Sequence, residues 1–209
     1  MGINLNGMMN GVNMGGANNN VTPSLNLRKN DVLDLTKRNP GLEEVLLGAG
    51  WDVSHNGQDF DLDIAAFLLN GAGKVQNVPA DVIFFNNMKA PGIELLGDNR
   101  TGAGEGDDEI IHIKLKELPS YVEKIVFVVT IFEAQNKRQT FGMVDNSYVR
   151  LLDARHENRE LCIFNLKENG STSTAVIFAE MAKQGGEWQF KALGEGKIAD
   201  LNGILSLYM

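Results

Sequence analysis

Short runs of apolar and β-branched residues, separated by turn-forming residues, constrain the fold of this 209-residue chain most strongly. Lys124–Ile131 has the composition of a buried strand, and Glu44–Trp51 and Asp59–Leu69 contain similar runs. Only Glu133–Thr140 and Ala199–Tyr208 have a helical pattern, and both segments are short. A parallel sheet would need long crossover helices. The roughly ten strand-like runs therefore predict a mainly all-β fold, an antiparallel β-sandwich of two sheets with a few short helices.

The other strands are predicted from shorter apolar or alternating runs between turn signals. They lie at Asp81–Phe85, Ile110–Leu115, Tyr148–Leu152, Glu160–Leu166, Thr174–Met181 and Trp188–Leu193. The polar triplet Lys29–Asp31 lies between two short apolar stretches and predicts a hairpin there.

The first part of the chain differs from the rest. Residues 1–20 contain seven Asn, five Gly and four Met, and they carry no charged side chain. Such a segment buries too little apolar surface to offset its ordering entropy. We therefore expect residues 1–23 to form a disordered tail or an assembly arm, and residues 24–209 to form the sandwich domain.

Composition and charge limit which partners and which cellular compartment fit this chain. The chain is 43% hydrophobic, which is enough for a sizeable core, and its formal net charge is −8. This charge disfavours sequence-independent binding of nucleic acid, and an anionic membrane would be approached only through a bridging cation. The single cysteine, Cys162, argues for a reducing compartment and is expected to be a small core residue. With no apolar run of about 18 residues and no leader pattern, the sequence predicts a cytoplasmic protein, either free or membrane-peripheral.

Two acidic segments carry the strongest chemical signal. In the first, Asp59–Asp63, carboxylates alternate with apolar residues, which predicts a strand with its acidic side chains on one face. The second, Gly97–Glu109, is a glycine-rich loop with five acidic side chains and Arg100, which we expect to pair with a loop carboxylate. If the fold brings the segments together, their charges repel unless a cation lies between them.

Carboxylate, amide and carbonyl oxygens are the ligands that Ca²⁺ prefers. The expected ligands are Asp59, Asp61, Asp63, Asp98, Asn99, Asp107, Asp108 and Glu109. Same-face residues of a strand lie about 6.6 Å apart, so the first three either flank one ion or share two, and we expect two ions. The segment is not an EF-hand loop, because Ile64 and Asn70 stand where that loop needs Gly and Glu.

These segments and several others resemble the TerD family of bacterial tellurium-resistance and general stress proteins. The matching stretches are Pro40–Leu42, Gly48–Asp52, Gly57–Asp63, Phe84–Asn87, Gly97–Glu109, Lys124–Ile131, Gln139–Gly142 and Gly185–Trp188. The resemblance implies a two-sheet β-sandwich that holds calcium at one end and acts in the cytoplasm in resistance to tellurite and other toxic agents. The Asn-rich extension before residue 24 departs from the family pattern.

The expected function is therefore a calcium-binding, non-enzymatic module for stress response and tellurium resistance, with no catalytic and no organic cofactor-binding residues. Calcium would order the acidic loops and create a surface for a partner. Other stress-resistance proteins and a calcium-bridged membrane surface are the expected partners.

Two other functions stay open at this point. A divalent ion held by Asp61, Asp63 and Asp107 could activate water, which would make the protein a metal-dependent phosphoesterase. No histidine ligand or general acid accompanies these carboxylates in the sequence, and the three histidines are scattered. The second open function is structural: the protein would assemble through its Asn-rich arm.

Overall fold

The computed structural model describes residues 24–52, 60–97, 106–166 and 171–209, and within these it contains thirteen strands. The strands are β1 (Leu25–Asn26), β2 (Val32–Asp34), β3 (Glu44–Gly50), β4 (Leu62–Leu69), β5 (Val82–Ile83), β6 (Lys89–Ala90), β7 (Ile93–Leu95), β8 (Glu109–Lys114), β9 (Lys124–Ile131), β10 (Tyr148–Asp153), β11 (Arg159–Asn165), β12 (Ala175–Gln184) and β13 (Glu187–Lys197).

The strands form two sheets that pack face to face. The first sheet has the order β1-β11-β10-β3-β8-β7-β6, and the second has the order β2-β13-β12-β9-β4-β5. Every pair of neighbouring strands is antiparallel except β1 and β11, which are parallel. The predicted antiparallel β-sandwich of two sheets is confirmed.

The helical elements are short. They are α1 (Leu35–Arg38), α2 (Ala134–Lys137) and α3 (Leu201–Leu205), with 3-10 turns at Phe141–Met143 and Ser206–Tyr208. The two helices predicted from the sequence are confirmed in shorter form, and α1 was not predicted. None of the helices in the described ranges is long and apolar enough to cross a membrane.

Strand β4 is buried on both faces, which explains its apolar run. Its even-numbered residues, such as Ile64 and Leu68, lie in the core between the sheets. Its odd-numbered residues from Ala65 to Leu69 belong to a second apolar cluster on the outer side of the second sheet. The chain end covers that cluster: Ile204 of α3 packs into it, and the rings of Phe67 and Tyr208 lie 5.8 Å apart.

The hairpin predicted at Lys29–Asp31 is wrong, because its two arms join different sheets. Strand β1 pairs with β11 in the first sheet, whereas β2 pairs with β13 in the second. The turn between them is closed by Asp31, whose side chain accepts a hydrogen bond from the backbone N–H of Arg28 at 2.8 Å. Two backbone hydrogen bonds also connect this turn to Ala192 of β13. The turn therefore carries the chain across the edge of the sandwich.

Candidate functional site

The candidate site is the end of the sandwich where β3 ends and where β4 and β8 begin. Of the eight expected calcium ligands, the structure describes Asp61, Asp63, Asp107, Asp108 and Glu109. The other three, Asp59, Asp98 and Asn99, lie outside the described residues, as do Arg100 and its expected pairing. Their part in the site stays a prediction.

Glu109 joins the two sheets at this end. It is the first residue of β8, its side chain lies on the same face as the core residues Ile111 and Ile113, and it is only 1% exposed. Its Oε2 accepts a hydrogen bond of 2.6 Å from the backbone N–H of Ile64 in β4. Since β5 pairs with β4 only at Ala66 and Phe67, this N–H lies beyond the ladder and takes a side chain as its acceptor. The two acidic segments therefore meet.

Asp108 is held against the end of β3. Its backbone N–H donates to the carbonyl of Ala49 at 2.8 Å, and its Oδ2 accepts from the backbone N–H of Trp51 at 2.9 Å. Burial raises the pKa of Asp108 more than the Trp51 hydrogen bond lowers it, and the charges of Asp107 and Asp52 raise it further. Ionisation of Asp108 is thus less favourable in the folded chain than in water, an effect that a nearby positive charge would oppose.

Trp51 connects this carboxylate to the first acidic segment. Its indole Nε1 donates a hydrogen bond of 3.2 Å to the carbonyl of Phe60, the residue before Asp61. The Trp51 side chain packs in the core, and the residue is 4% exposed. A single buried residue therefore contacts both acidic segments.

Asp107 lies on the outer side of the first sheet. Its Oδ1 accepts hydrogen bonds from Nε of Arg150 at 2.8 Å and from the hydroxyl of Tyr148 at 3.2 Å. The Asp107 side chain is only 3% exposed, so this is a largely buried ion pair. The interaction with Asp107 raises the pKa of Arg150 despite the opposing effect of burial.

Two glycines of β3 make room for this pair. A Cβ atom on Gly48 would lie 2.1 Å from Oδ2 of Asp107, and one on Gly50 would lie 2.5 Å from the ring of Tyr148. In the ladder, Gly48 and Gly50 stand opposite Arg150 and Tyr148 of β10. The bare backbone at these positions is what lets Asp107 lie flat against the sheet.

Sequence reasoning missed Arg150 because it lies 43 residues from Asp107. The signal that could have found it is the pair of glycines at strand spacing, which indicates that another group approaches the sheet closely there.

The two described aspartates of the first segment, Asp61 and Asp63, are placed differently from each other. Asp61 precedes β4, and its carbonyl accepts a hydrogen bond from the backbone N–H of Phe132 at 2.8 Å. Asp63 stands opposite Thr130 in the second sheet, is 7% exposed, and lines a cavity on the outer side of that sheet. Asp63 and Asp107 therefore lie on opposite outer sides of the sandwich.

The structure thus groups Asp107, Asp108 and Glu109 with Trp51 and the start of β4, and it places the Asp63 carboxylate apart from them. Among the residues that the structure describes, no three His, Cys, Asp or Glu side chains are grouped closely enough to hold a metal ion.

The sequence of this chain is similar to proteins of known class over nearly all of the sandwich. Residues 24–208 match the sequence model of the TerD domain. Tellurium resistance protein TerD from Serratia marcescens is 44% identical over 188 residues, which cover 88% of this chain and 97% of that protein. General stress protein 16U from Bacillus subtilis (strain 168) is 42% identical over 189 residues, with the same coverage of 88% and 97%.

A solved structure with the same fold also carries this family name. A homologue of telluride resistance protein (TerD) from Streptomyces coelicolor A3(2) superposes with a TM-score of 0.67 at 26% identity, and the match covers 79% of this chain and 96% of that one. Sequence and fold lead to the same assignment: the chain belongs to the TerD family.

Proposed function

We propose that this TerD-family protein is a calcium-binding, non-enzymatic module that acts in tellurium resistance and stress response. The observation that carries the proposal is the meeting of the two acidic segments, where Glu109 of β8 bonds the backbone of Ile64 in β4. The names of its relatives, a tellurium resistance protein and a general stress protein, support the cellular role.

The described donors fit calcium in their chemistry. Asp61, Asp108 and Glu109 offer carboxylate oxygens from both segments, and the raised pKa of Asp108 marks a carboxylate that a nearby cation would stabilise. Asp107 fits less well as a ligand, because its charge is already matched by Arg150. We therefore assign Asp107 the role of holding the second segment against the first sheet. Asp59, Asp98 and Asn99 would complete the donor set, and bound Ca²⁺ would supply the positive charge that offsets the repulsion among these groups.

Two observations support binding rather than turnover. The thiol of Cys162 is buried, and burial raises its pKa to about 12, so it is protonated at neutral pH and is a poor nucleophile. A hydrolytic metal held jointly by Asp63 and Asp107 would require side chains from opposite outer sides of the sandwich.

Calorimetric titration of Ca²⁺ and Mg²⁺ into the metal-stripped protein tests the proposal. We expect calcium binding in the micromolar range, weaker binding of Mg²⁺, and at least about tenfold weaker calcium binding after Asp61→Asn/Asp108→Asn. Glu123→Gln is the matched control, because Glu123 is 46% exposed, pairs with Lys183, and lies beside Leu69, at the opposite end of β4 from Asp61. A wild-type protein that binds no calcium would refute the proposal, as would turnover of a phosphoester with Mg²⁺ or Mn²⁺.

We further propose that the calcium-loaded end docks a partner from the same stress response in the cytoplasm, or an anionic membrane surface through bridging calcium. Sedimentation with anionic or neutral lipid vesicles, in calcium or in chelator, tests whether the protein binds a membrane surface in this way. Binding that requires both anionic lipid and calcium is the supporting result, and calcium-independent binding would contradict it.

A further inference from the structure

A cavity of about 440 Å³ opens on the outer side of the second sheet, away from Asp107, Asp108 and Glu109. Its walls come from the start of β4, the turn after β5, the end of β9 with α2, and the segment that leads into α3. This volume is within the range of small-molecule sites, which is roughly 300–1,000 Å³.

One wall of the cavity is aromatic. The rings of Phe84 and Phe85 lie 5.3 Å apart at 73°, and those of Phe85 and Phe132 lie 6.2 Å apart at 87°. These are edge-to-face contacts, in which the positive edge of one ring meets the negative face of the next. Phe132 is 36% exposed, so this ring is available to a ligand from the cavity side.

The other described walls of the cavity carry negative charge. Asp63, Glu133 and Asp200 all line it, and the described lining residues include no Lys, Arg or His. These carboxylates do not converge, because no three acidic side chains in the described ranges are grouped closely enough for a metal ion. The charge is therefore spread around an apolar wall, which suits a large cation with an apolar surface better than a small hard ion.

An ammonium group of the chain itself lies against this aromatic wall. Nζ of Lys137 in α2 lies over the Phe132 ring, 5.4 Å from its centroid. This distance is within the range of a cation–π interaction.

From the aromatic wall, the dispersed carboxylates and this internal cation, we propose that the cavity binds an organic cation with an alkylammonium group. The ammonium head lies among Asp63, Glu133 and Phe132, and the apolar part of the ligand packs against Phe84 and Phe85. This site is separate from the proposed calcium site and shares with its expected ligands only Asp63, so the two proposals can fail independently.

Choline and 3,3-dimethyl-1-butanol form a matched pair of probes, since they have nearly the same shape and only choline is charged. Each is titrated into ¹⁵N-labelled protein, once in calcium and once in chelator. We expect choline to cause saturable amide shifts at Asn86, Phe132 and Asn136. The neutral alcohol should bind at least about fivefold more weakly than choline. Equal binding of the two probes, or no saturable shift with choline, would overturn the proposal.

Two substitutions should change choline affinity in opposite directions. Phe132→Leu keeps an apolar side chain but removes the ring, and we expect about fivefold weaker binding. Lys137→Gln removes the positive charge that lies over the Phe132 ring and would repel a second cation, and we expect tighter binding. Phe132→Tyr keeps the ring and should keep wild-type affinity. If Phe132→Leu binds choline as well as the wild type does, the cavity is not the binding site.

Discussion

The buried carboxylate of Glu109 accepts a hydrogen bond from the backbone N–H of Ile64 in β4. It takes the place of a backbone acceptor from β5, which pairs with β4 only at Ala66 and Phe67. Glu109→Ala would leave this buried N–H without its acceptor, and we expect a loss of about 1–3 kcal/mol in the free energy of unfolding. Glu109→Gln keeps an acceptor oxygen and should lose less. Urea unfolding in chelator measures both variants without a contribution from calcium.

The control for Glu109 is Glu94→Ala, because that side chain is 41% exposed and pairs with Lys89 at the surface. We expect it to change the free energy of unfolding by no more than about 0.5 kcal/mol. If Glu109→Ala and Glu109→Gln are both as mild as the control, the link between the sheets does not stabilise the fold.

Cys162 gives the protein a pH dependence on the alkaline side. Burial raises the pKa of its thiol from 9.0 to about 12. Since the pKa in the folded state lies above that in the unfolded state, this group's contribution to stability is fully present below pH 9.0 and is lost as the pH rises toward about 12. Urea unfolding across this window should show a steeper loss for the wild type than for Cys162→Ala. Equal slopes would mean that the thiol is not desolvated.

At the scale of the element, β3 is shaped by what lies on its outer side. Gly48→Ala would place a Cβ atom 2.1 Å from Oδ2 of Asp107 and push that side chain away from Arg150. We expect a loss of about 1–3 kcal/mol in the free energy of unfolding, which is typical of overpacking. Gly97→Ala is the control, because no atom of the described residues lies within 4 Å of its added Cβ. A Gly48→Ala variant as stable as this control would contradict the close approach of Asp107 to β3.

Elements with a long apolar run could be predicted from the sequence, and elements made by distant contacts could not. Strand β9 has the predicted bounds, Lys124–Ile131, because eight consecutive residues suit a buried strand. The two-residue strand β6 and the three-residue strand β7 were missed, because a run this short has too few residues to show a period. The hairpin at Lys29–Asp31 failed because turn residues do not reveal which sheet the chain enters next.

The same limit applies to the site. The acidic segments were visible in the sequence because their carboxylates are consecutive or alternate. The meeting of Glu109 with Ile64 depends on how two sheets pack, and the pairing of Asp107 with Arg150 depends on the β3–β10 register. Neither of these two contacts can be predicted from a local sequence pattern.

At the scale of the whole molecule, the sandwich separates two kinds of negative surface. At one end, Asp108 and Glu109 are anchored by backbone N–H groups of Trp51 and Ile64, which holds carboxylates of the second segment beside the start of β4. On the outer side of the second sheet, the carboxylates are dispersed around phenyl rings. A net charge of −8 is consistent with a protein whose ligands are cations.

The central claim, that calcium binds at the acidic end, is tested most directly by the two indole N–H signals in a ¹H–¹⁵N spectrum. The chain has two tryptophans: Trp51 bonds both acidic segments, and Trp188 lies at the far end of the second sheet, opposite Lys183. Calcium added to the metal-stripped protein should shift the Trp51 signal saturably and leave the Trp188 signal in place, and Mg²⁺ should have a weaker effect. A spectrum in which calcium moves neither indole signal, or moves both equally, would contradict the account.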